Sequence, residues 1–326
     1  MTAIYALSHF AVDLGCAYAV FSGSTAGAMG YLLYNFFAFA VQMPLGLLAD
    51  RFGKNRFFAA AGTVLVALIC CFSTFGTLGT ILLGLGNALF HIGGGLDVLN
   101  LSGNRAAPLG VFVSPGAFGL FLGTLWGNQA GSRIPVLAAL LLCTVLMLFS
   151  PAHCRLPRNA PLDFPKRSLF PWAALLFLVV ALRSFGGLQA VFSWKTGLWS
   201  WLAVAAVVLG KTCGGFLADR FGSVPAAVGS LLLSAALFCC SSFPVCGVLA
   251  LFCFNMSMPI TLFALAQAMP GCKGFSFGLL TFALFLGFLP ACFGAPVIGG
   301  FAMAAVSAVS LFLLVPALKH TAGKED

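Results

Sequence analysis

Long apolar runs separated by short polar connections dominate the pattern along this chain. Runs of about 18 to 24 apolar residues are long enough to cross a bilayer as helices. They predict twelve spans, near residues 3–22, 27–48, 57–75, 78–101, 107–127, 133–152, 169–187, 197–217, 224–243, 245–268, 275–293 and 296–318. The first run starts without a basic segment or a small-residue cleavage site, so we interpret it as a span rather than a signal peptide.

The composition also indicates an all-α membrane protein. Of the 326 residues, 61% are hydrophobic and 7% are charged, whereas an ordinary soluble domain has about 25% charged residues. This difference excludes soluble enzymes and nucleic-acid binders. The twelve cysteines lie mostly singly or as adjacent pairs inside apolar runs, without CxxC or metal-finger spacing. We therefore interpret them as small hydrophobic residues of helices.

The basic residues predict the orientation. With the N-terminus inside, the external connections carry only Arg133 and Lys195, and the cytoplasmic segments carry twelve of the sixteen basic residues. These twelve are Arg51, Lys54, Arg56, Arg105, Arg155, Arg158, Lys166, Arg167, Arg220, Lys273, Lys319 and Lys324. By the positive-inside rule both termini are expected in the cytoplasm of a multi-pass protein of the cell (inner) membrane.

A polar, proline-containing stretch near the middle divides the chain. It predicts an N-terminal six-helix bundle at 1–152, a cytoplasmic linker at 153–168 and a C-terminal six-helix bundle at 169–326. The sequence Gly-Leu-Leu-Ala-Asp-Arg-Phe-Gly at 46–53 recurs as Gly-Phe-Leu-Ala-Asp-Arg-Phe-Gly at 215–222, an offset of 169 residues. Each copy follows the second span of its half, so we interpret the halves as parallel structural repeats.

The residue types of the repeated loop suit a cytoplasmic gate. Gly46 lets a neighbouring helix approach closely, Asp50 can accept hydrogen bonds from a helix N-terminus in the other half, and Gly53 permits a tight turn. The alternative is a basic turn that only obeys the topology rule. The predicted gate residues are Gly46, Asp50, Arg51, Gly53, Gly215, Asp219 and Arg220, together with Asp97 near the cytoplasmic end of the fourth span.

The repeated loop resembles the cytoplasmic signature of the major facilitator superfamily. The second copy departs from that signature at Ser223-Val224-Pro225, which replaces the usual basic pair. The resemblance implies a fold of twelve transmembrane helices in two pseudo-symmetric six-helix halves that works by alternating access. It does not give the substrate.

Four further stretches resemble the fosmidomycin-resistance-type subfamily. They are Ser8-His9 with Asp13, Phe90-His91, Phe112-x-x-x-Gly116-x-Phe118-Gly119-x-x-Leu122-Gly123, and Ala266-Gln267 to Pro270-Gly271. Ile92 departs from that group, which usually has Pro there. Gly119 and Gly123 are four apart and are expected to serve helix packing.

Ionisable residues inside the bilayer are costly and are candidates for function by default. Here they are His9, Asp13, His91, Asp97, Arg183 and Lys211. His9 and Asp13 share one helix face, as do Asn87 and His91. In the superfamily, spans 1, 4, 7 and 10 line the central cavity, and the resemblance therefore implies a substrate and proton site formed by His9, Asp13, Asn87, His91, Arg183 and Asn255.

The repeat offset adds one expectation. Subtracting 169 from Arg183 gives position 14, so Asp13 and Arg183 are predicted to be near pseudo-twofold mates that pair in an empty cavity. Lys211 maps onto Gln42 and is a less secure member of the site. The bland alternatives are that Arg183 only neutralises Asp13, that Lys211 reaches the interface with its long stem, and that His91 only packs.

These patterns predict a monomeric secondary transporter without catalytic residues, cofactor or resident metal. We expect proton-coupled export of a small amphiphilic or anionic compound by exchange, in contact with membrane lipids and without nucleic acid. Protonation of Asp13 with His9 or His91 would couple to an acidic substrate group bound by Arg183. The alternative is a divalent transition-metal transporter that uses His9, Asp13 and His91. An intramembrane enzyme is disfavoured, because no motif places a nucleophile.

Overall fold

α-Helices form the architecture of this computed structural model, which describes residues 1–24, 27–151 and 157–322. The helices are α1 (Thr2–Ala19), α2 (Gly27–Asn35), α3 (Gln42–Phe52), α4 (Asn55–Cys70), α5 (Gly76–Ser102), α6 (Ala107–Val113), α7 (Gly116–Asn128), α8 (Ile134–Phe149), α9 (Phe170–Gln189), α10 (Leu198–Phe221), α11 (Ser223–Cys239), α12 (Pro244–Asn255), α13 (Ser257–Ala268), α14 (Lys273–Cys292) and α15 (Gly300–Ala322). Short π-helical segments at Val20–Ser24 and Phe36–Ala40 extend α1 and α2.

A helix is present at each of the twelve predicted positions. In the described residues, nine helical segments are long and apolar enough to cross a membrane: Thr2–Gly23, Gly27–Phe52, Gly76–Ser102, Ala107–Asn128, Arg167–Gln189, Leu198–Phe221, Pro244–Ala268, Lys273–Cys292 and Gly300–Thr321. The three others, α4, α8 and α11, have 16, 16 and 17 residues. At about 1.5 Å per residue they span roughly 24 to 26 Å, less than the roughly 30 Å hydrocarbon core.

The described residues form two compact units. Unit 1 contains those of Met1–Gly103, Val111–Asp163 and Gly271–Phe282, and unit 2 contains those of Asn104–Gly110, Phe164–Pro270 and Ala283–Asp326. The starts of α6 and α14 therefore belong to the unit opposite to the rest of their sequence half. The predicted boundary at residue 152, together with Arg155 and Lys324, lies outside the described residues.

Glycines bring the helices of unit 1 into backbone contact. A Cβ at Gly62 of α4 would overlap with the backbone of Gly86 and Phe90 in α5. On α7, a Cβ at Gly119 or Gly123 would overlap with the backbone of α1 at Phe10 or Leu14. Helices in a membrane associate through such small residues. The prediction that Gly119 and Gly123 serve packing is confirmed.

Unit 2 packs in the same way. A Cβ at Gly210 or Gly214 of α10 would overlap with the backbone of Phe252 or Met256. Between α11 and α15 the hydroxyl groups of Ser234 and Ser307 lie 3.2 Å apart in the buried interior. At these helix contacts, small residues and one pair of hydroxyl groups thus take the place of large interlocking side chains.

The close contact at Gly62 gives a testable prediction. Gly62→Ala should destabilise the protein by about 1–3 kcal/mol, the usual cost of overpacking, because the new methyl group meets backbone atoms that cannot rotate away. The matched control is Gly229→Ala in α11, where nothing lies within 4 Å of the added Cβ. That variant should be neutral or slightly stabilising, since Ala has the higher helix propensity. Thermal unfolding of the detergent-purified variants measures both, and equal melting temperatures would contradict the packing argument.

Candidate functional site

Two helix faces of unit 1 bring four of the predicted site residues together. His9 and Asp13 lie four residues apart on α1, and Asn87 and His91 lie four residues apart on α5. Each pair therefore shares one face of its helix. The two faces meet, because the Nε2 atoms of His9 and His91 are 2.9 Å apart. We call these four residues the histidine–aspartate cluster.

The Asp13 carboxylate binds all three other members of the cluster. Its Oδ2 atom lies 3.2 Å from Nε2 of His9, and its Oδ1 atom lies 3.6 Å from Nε2 of His91. Asn87 donates from Nδ2 to Oδ1 at 3.3 Å. The His9 and His91 residues are 6% and 7% exposed, whereas the side chain of Asp13 is 21% exposed. Asp13 is therefore the member through which the cluster is reached.

Backbone carbonyl groups hold the far sides of both imidazole rings. Nδ1 of His9 lies 2.8 Å from the oxygen of Phe112, and Nδ1 of His91 lies 2.9 Å from the oxygen of Asn87. A carbonyl oxygen can only accept a hydrogen bond, so both Nδ1 atoms donate. A neutral ring then presents a lone pair at Nε2. The contact between the two Nε2 atoms is consequently a hydrogen bond only when one ring carries a second N–H.

A helix break and a glycine shape the wall of this cluster. Helix α6 ends at Val113 and α7 begins at Gly116, so the Phe112 carbonyl lies in the last turn of α6, where carbonyl groups lack helical partners. A Cβ at Gly116 would overlap with His9 and Asp13. Residue 116 therefore has to be glycine for the cluster to keep this geometry.

Arg183 lines a cavity of unit 2. The cavity has a volume of about 180 Å³ and is lined by Arg183, Gly187, Lys195, Ala203, Val204, Val207, Leu251, Phe254, Asn255 and Met303. Arg183 is 9% exposed, and its Nη1 atom has no hydrogen-bond partner in the described part of the chain. The structure thus brings Arg183 and Asn255 to one cavity. Lys211 lies on α10 and is not among the lining residues; its role in the site stays a prediction.

The first copy of the repeated loop binds the start of α14 within unit 1. The carboxylate oxygens of Asp50 accept hydrogen bonds from the backbone N–H groups of Gly274 and Phe275, each at 2.8 Å. A Cβ at Gly46 would overlap with the backbone of Gly274. Asp50 therefore caps a helix N-terminus, where the helix dipole favours a negative charge, and Gly46 permits the approach.

The second copy repeats this arrangement within unit 2. Asp219 accepts hydrogen bonds from the N–H groups of Ala106 at 2.6 Å and of Ala107 at 3.0 Å. A Cβ at Gly215 would lie 2.8 Å from atoms of both residues. The start of α6 is thus held as the start of α14 is held. Gly53 and Gly222 follow the two copies with φ of +63° and +93°, which supports the predicted turns. Arg51 and Arg220 are exposed.

Asp97 belongs to a polar network one turn from the cluster. It accepts hydrogen bonds from Tyr5 Oη and, at 2.8 Å, from Nδ2 of Asn55. Asn159, from the region predicted as the linker, accepts a hydrogen bond from Asn55 at 2.7 Å and donates to the carbonyl of Ala49 at 3.0 Å. Tyr5 precedes His9 by four residues on α1, so the network continues along the helix face that carries the cluster.

Comparison with known proteins gives structural neighbours only. No protein-family model and no curated protein matches this chain. A variant of the E. coli fucose:proton symporter FucP has 15% sequence identity and a TM-score of 0.63, with 97% of each chain covered. A second structure, of the major facilitator superfamily transporter FucP in the outward conformation, has 14% identity and a TM-score of 0.62, with 98% of this chain and 99% of that chain covered. The fold is the same. At these identities the likeness concerns the fold, which agrees with the apolar helices of a multi-pass membrane protein.

The sequence pattern missed four contributors to these sites. The sequence marks Gly116 only as part of the motif from Phe112 to Gly123 and does not predict that it forms the wall of the cluster. The Phe112 carbonyl is a main-chain group and carries no residue signal. Asn159 lies in a polar stretch that gives no hint of a docking contact. Lys195 was assigned to topology, although its position directly after the span of Arg183 was available as a signal.

The two aspartate caps give a prediction about gating. Asp50→Asn and Asp219→Asn should each weaken the hold of the loop on the helix start that it caps, α14 or α6, by about 1–2 kcal/mol, the scale of a hydrogen bond to a charged group. The control is Asp163→Asn, which removes an exposed carboxylate and keeps the Asp163 carbonyl oxygen that accepts a hydrogen bond from Cys272.

Labelling of a buried reporter thiol measures this effect. Ser102 at the end of α5 is 2% exposed, so a Ser102→Cys thiol should react faster with an impermeant reagent in these variants if the caps gate access. The exposed native thiols of Cys71, Cys239 and Cys240 are first replaced by serine. Unchanged labelling and transport in the Asp50→Asn, Asp219→Asn double variant would show that the caps do not gate.

Proposed function

We propose that this chain is a secondary active transporter of the major facilitator superfamily. In this proposal twelve helices cross the inner membrane in two six-helix halves, 1–152 and 169–326, and alternate their access to the two sides. Three observations support it: the apolar helices, the fold shared with transporters of that superfamily and the repeated Gly–Asp cap. The short helices α4, α8 and α11 then cross a locally thinner region or extend their span with flanking residues.

The histidine–aspartate cluster carries the proposal that the coupling ion is a proton. Three acceptors, two Nε2 lone pairs and one carboxylate, converge at separations of 2.9 to 3.6 Å inside a membrane-spanning bundle. One shared proton turns the contact between His9 and His91 into a hydrogen bond and gives the cluster a net charge of zero. Without it, the lone pairs oppose each other beside an anion, which is costly away from water. The proton of a fucose:proton symporter with the same fold favours the same coupling ion.

Arg183 supports an acidic group on the substrate. A buried guanidinium whose Nη1 atom lacks a partner in the described chain gains a charge-assisted, bidentate interaction from a carboxylate, phosphonate or phosphate. We propose a small amphiphilic or anionic compound as the substrate. The export by exchange that the sequence predicts requires proton and anion to exclude each other, whereas an Asp13–Arg183 pair that protonation releases moves both in the same direction. The predicted pairing of Asp13 with Arg183 in the empty transporter belongs to this proposal.

A divalent transition-metal ion is the alternative occupant of the cluster. His9, Asp13 and His91 each offer one ligand atom, and these atoms lie within 4.8 Å of one another. Imidazole nitrogens suit such ions. A metal substrate has no use for the buried cation Arg183, which is why we favour the proton.

Binding at two pH values tests the proton site. In the wild type, an anionic ligand should bind more tightly at pH 5.5 than at pH 8, because protonation of the cluster leaves Arg183 for the ligand. Asp13→Asn should keep tight binding and lose the pH dependence, and Arg183→Gln should lose binding altogether. His320→Gln is the histidine control, since His320 stacks on Trp172 away from the cluster.

The other titratable groups near Asp13 are His9, His91, Cys16 and Tyr34. Wild-type pH dependence in Asp13→Asn would therefore move the proton site from Asp13 to one of these. Retained binding by Arg183→Gln, with saturable binding of zinc that is lost in His91→Gln, would favour the metal alternative.

The basic residues also predict topology. A reporter fused after the C-terminus should be active only when the fusion partner is one that functions in the cytoplasm, because twelve of sixteen basic residues fall in segments assigned to that side. A fusion at the loop of Lys195 should behave in the opposite way. External activity of the C-terminal fusion would reverse the assignment.

A further inference from the structure

We propose that the unit 2 cavity binds a small organic dianion. Arg183 binds its first negative charge, and the ammonium group of Lys195, at the cavity rim, interacts with the second. This inference rests on the proposed function, because it specifies the substrate class of that transporter. The sequence alone places Lys195 in an external connection and predicts Lys211 as the second cation of the site.

The described residues of unit 2 offer no spare negative charge to Arg183. Among these described residues the one carboxylate is Asp219, and both oxygens of Asp219 are committed to the start of α6. A buried unpaired charge is costly, and the Nη1 atom of Arg183 lacks a partner in the part of the chain that the structure describes. A ligand anion in the cavity supplies the missing hydrogen-bond acceptor and the missing charge.

Lys195 stands on a loop that the core of unit 2 holds in place. Next to it, Trp194 is 9% exposed and donates from Nε1 to the carbonyl of Ser241 at 2.7 Å. Phe192 stacks on Phe238 with an interplanar angle of 4°. Lys195 itself is exposed, yet it lines the cavity. Its ammonium group therefore has both a fixed attachment and access to water, which suits a residue at the entrance.

Helix α9 carries Arg183 and leads to the loop that carries Lys195. Arg183 and Gly187 lie one turn apart on one face, both line the cavity, and α9 ends at Gln189, shortly before the loop of Lys195. No atom lies within 4 Å of a Cβ placed on Gly187, so the space beside this residue is open. A ligand that binds Arg183 can thus extend past Gly187 toward Lys195.

The size and the walls of the cavity limit the rest of the ligand. Its volume of about 180 Å³ equals that of roughly six water molecules in the liquid, well below the roughly 300 Å³ minimum of a drug-sized pocket. Apart from Arg183, Lys195, Asn255 and Gly187, the lining is aliphatic or aromatic: Ala203, Val204, Val207, Leu251, Phe254 and Met303. A doubly charged head with a chain of a few carbons fits this description, whereas a sugar with many hydroxyl groups does not.

A pair of matched ligands tests the second charge. Propyl phosphate is a dianion at pH 8, because the second pKa of a phosphate monoester is about 6. Methyl propyl phosphate has nearly the same shape and one negative charge. The dissociation constants of both, measured by calorimetry on the full-length protein in lipid nanodiscs, give the preference for the dianion.

The wild type should prefer propyl phosphate by about tenfold, because a charge near Lys195 is only partly screened by water. Lys195→Gln should reduce this preference to less than threefold and leave the affinity for methyl propyl phosphate unchanged. Lys166→Gln is the matched control, since it removes an exposed positive charge from unit 2 without touching the cavity; it should keep the full preference. Arg183→Gln should lose both ligands.

Two results would overturn the inference: equal affinities for the two ligands in the wild type, or an undiminished preference in Lys195→Gln. Uptake into proteoliposomes separates this outcome from failure of the proposed function. Dianion binding that depends on Lys195, without transport driven by a proton gradient, would contradict the transporter and keep the anion site. Proton-driven transport of another compound, without dianion binding, would contradict the anion site alone.

Discussion

Three hydrogen-bond acceptors that meet inside a lipid-embedded helix bundle require a cation between them. In unit 1 the acceptors are Nε2 of His9, Nε2 of His91 and the Asp13 carboxylate. The requirement does not come from the side chains alone, because a neutral imidazole can place its proton on either nitrogen. The carbonyl groups of Phe112 and Asn87 remove that freedom by binding both Nδ1 atoms. The chain thus uses its backbone to fix the tautomers, and the proposed proton site depends on this.

The repeated loop shows how a short sequence can duplicate an interaction and not only a turn. In each copy a glycine precedes the aspartate by four residues, so both face the same neighbour. The glycine removes the side chain that would keep the neighbouring helix start away, and the aspartate then binds its free N–H groups. The copies are not equal, however. Asp50 is 7% exposed, whereas Asp219 is exposed. Since a hydrogen bond to a charged group weakens in water, the cap at Asp50 contributes more to stability.

The sequence pattern predicts the helices well and their ends poorly. The apolar run from 57 to 75 continues beyond Cys70, where α4 ends, because Cys71, Phe72 and Phe75 are apolar whether or not they are helical. Hydropathy records what a residue prefers to contact, but the end of a helix depends on which backbone groups find partners. For the same reason the spacing of His9 and Asp13 predicts a shared face, while the carbonyl of Phe112 and the wall at Gly116 emerge only from the packing of α6 and α7 against α1.

The lining of the unit 2 cavity differs from the set of charged residues that the sequence singles out. Lys211 stands out in the sequence because a charge inside a span is unusual. The positive-inside rule accounts for Lys195 as a charge of an external loop. Both arguments consider only where a residue lies relative to the ends of a span. The cavity of unit 2 is instead defined by the residues that converge on it from α9, α10, α12 and α15 and from one loop. Convergence of elements that are distant in sequence is not visible in a single chain of letters.

In the proposed transporter, the sign of the coupling between proton and anion decides the direction of transport. If a proton on the cluster raises the affinity for an anion, the anion raises the affinity for the proton by the same factor, because linkage between two binding equilibria is reciprocal. The pairing of Asp13 with Arg183 that the repeat offset predicts would have this positive sign: the proton would release Arg183, and the anion would release Asp13. Positive coupling favours the doubly loaded state, in which both species move the same way. Exchange requires the opposite sign, so that proton and anion exclude each other from the form that reorients. Export driven by an inward proton gradient is therefore consistent with the cluster and the cavity only if the two sites are coupled negatively, and a purely attractive Asp13–Arg183 pair would instead produce uptake.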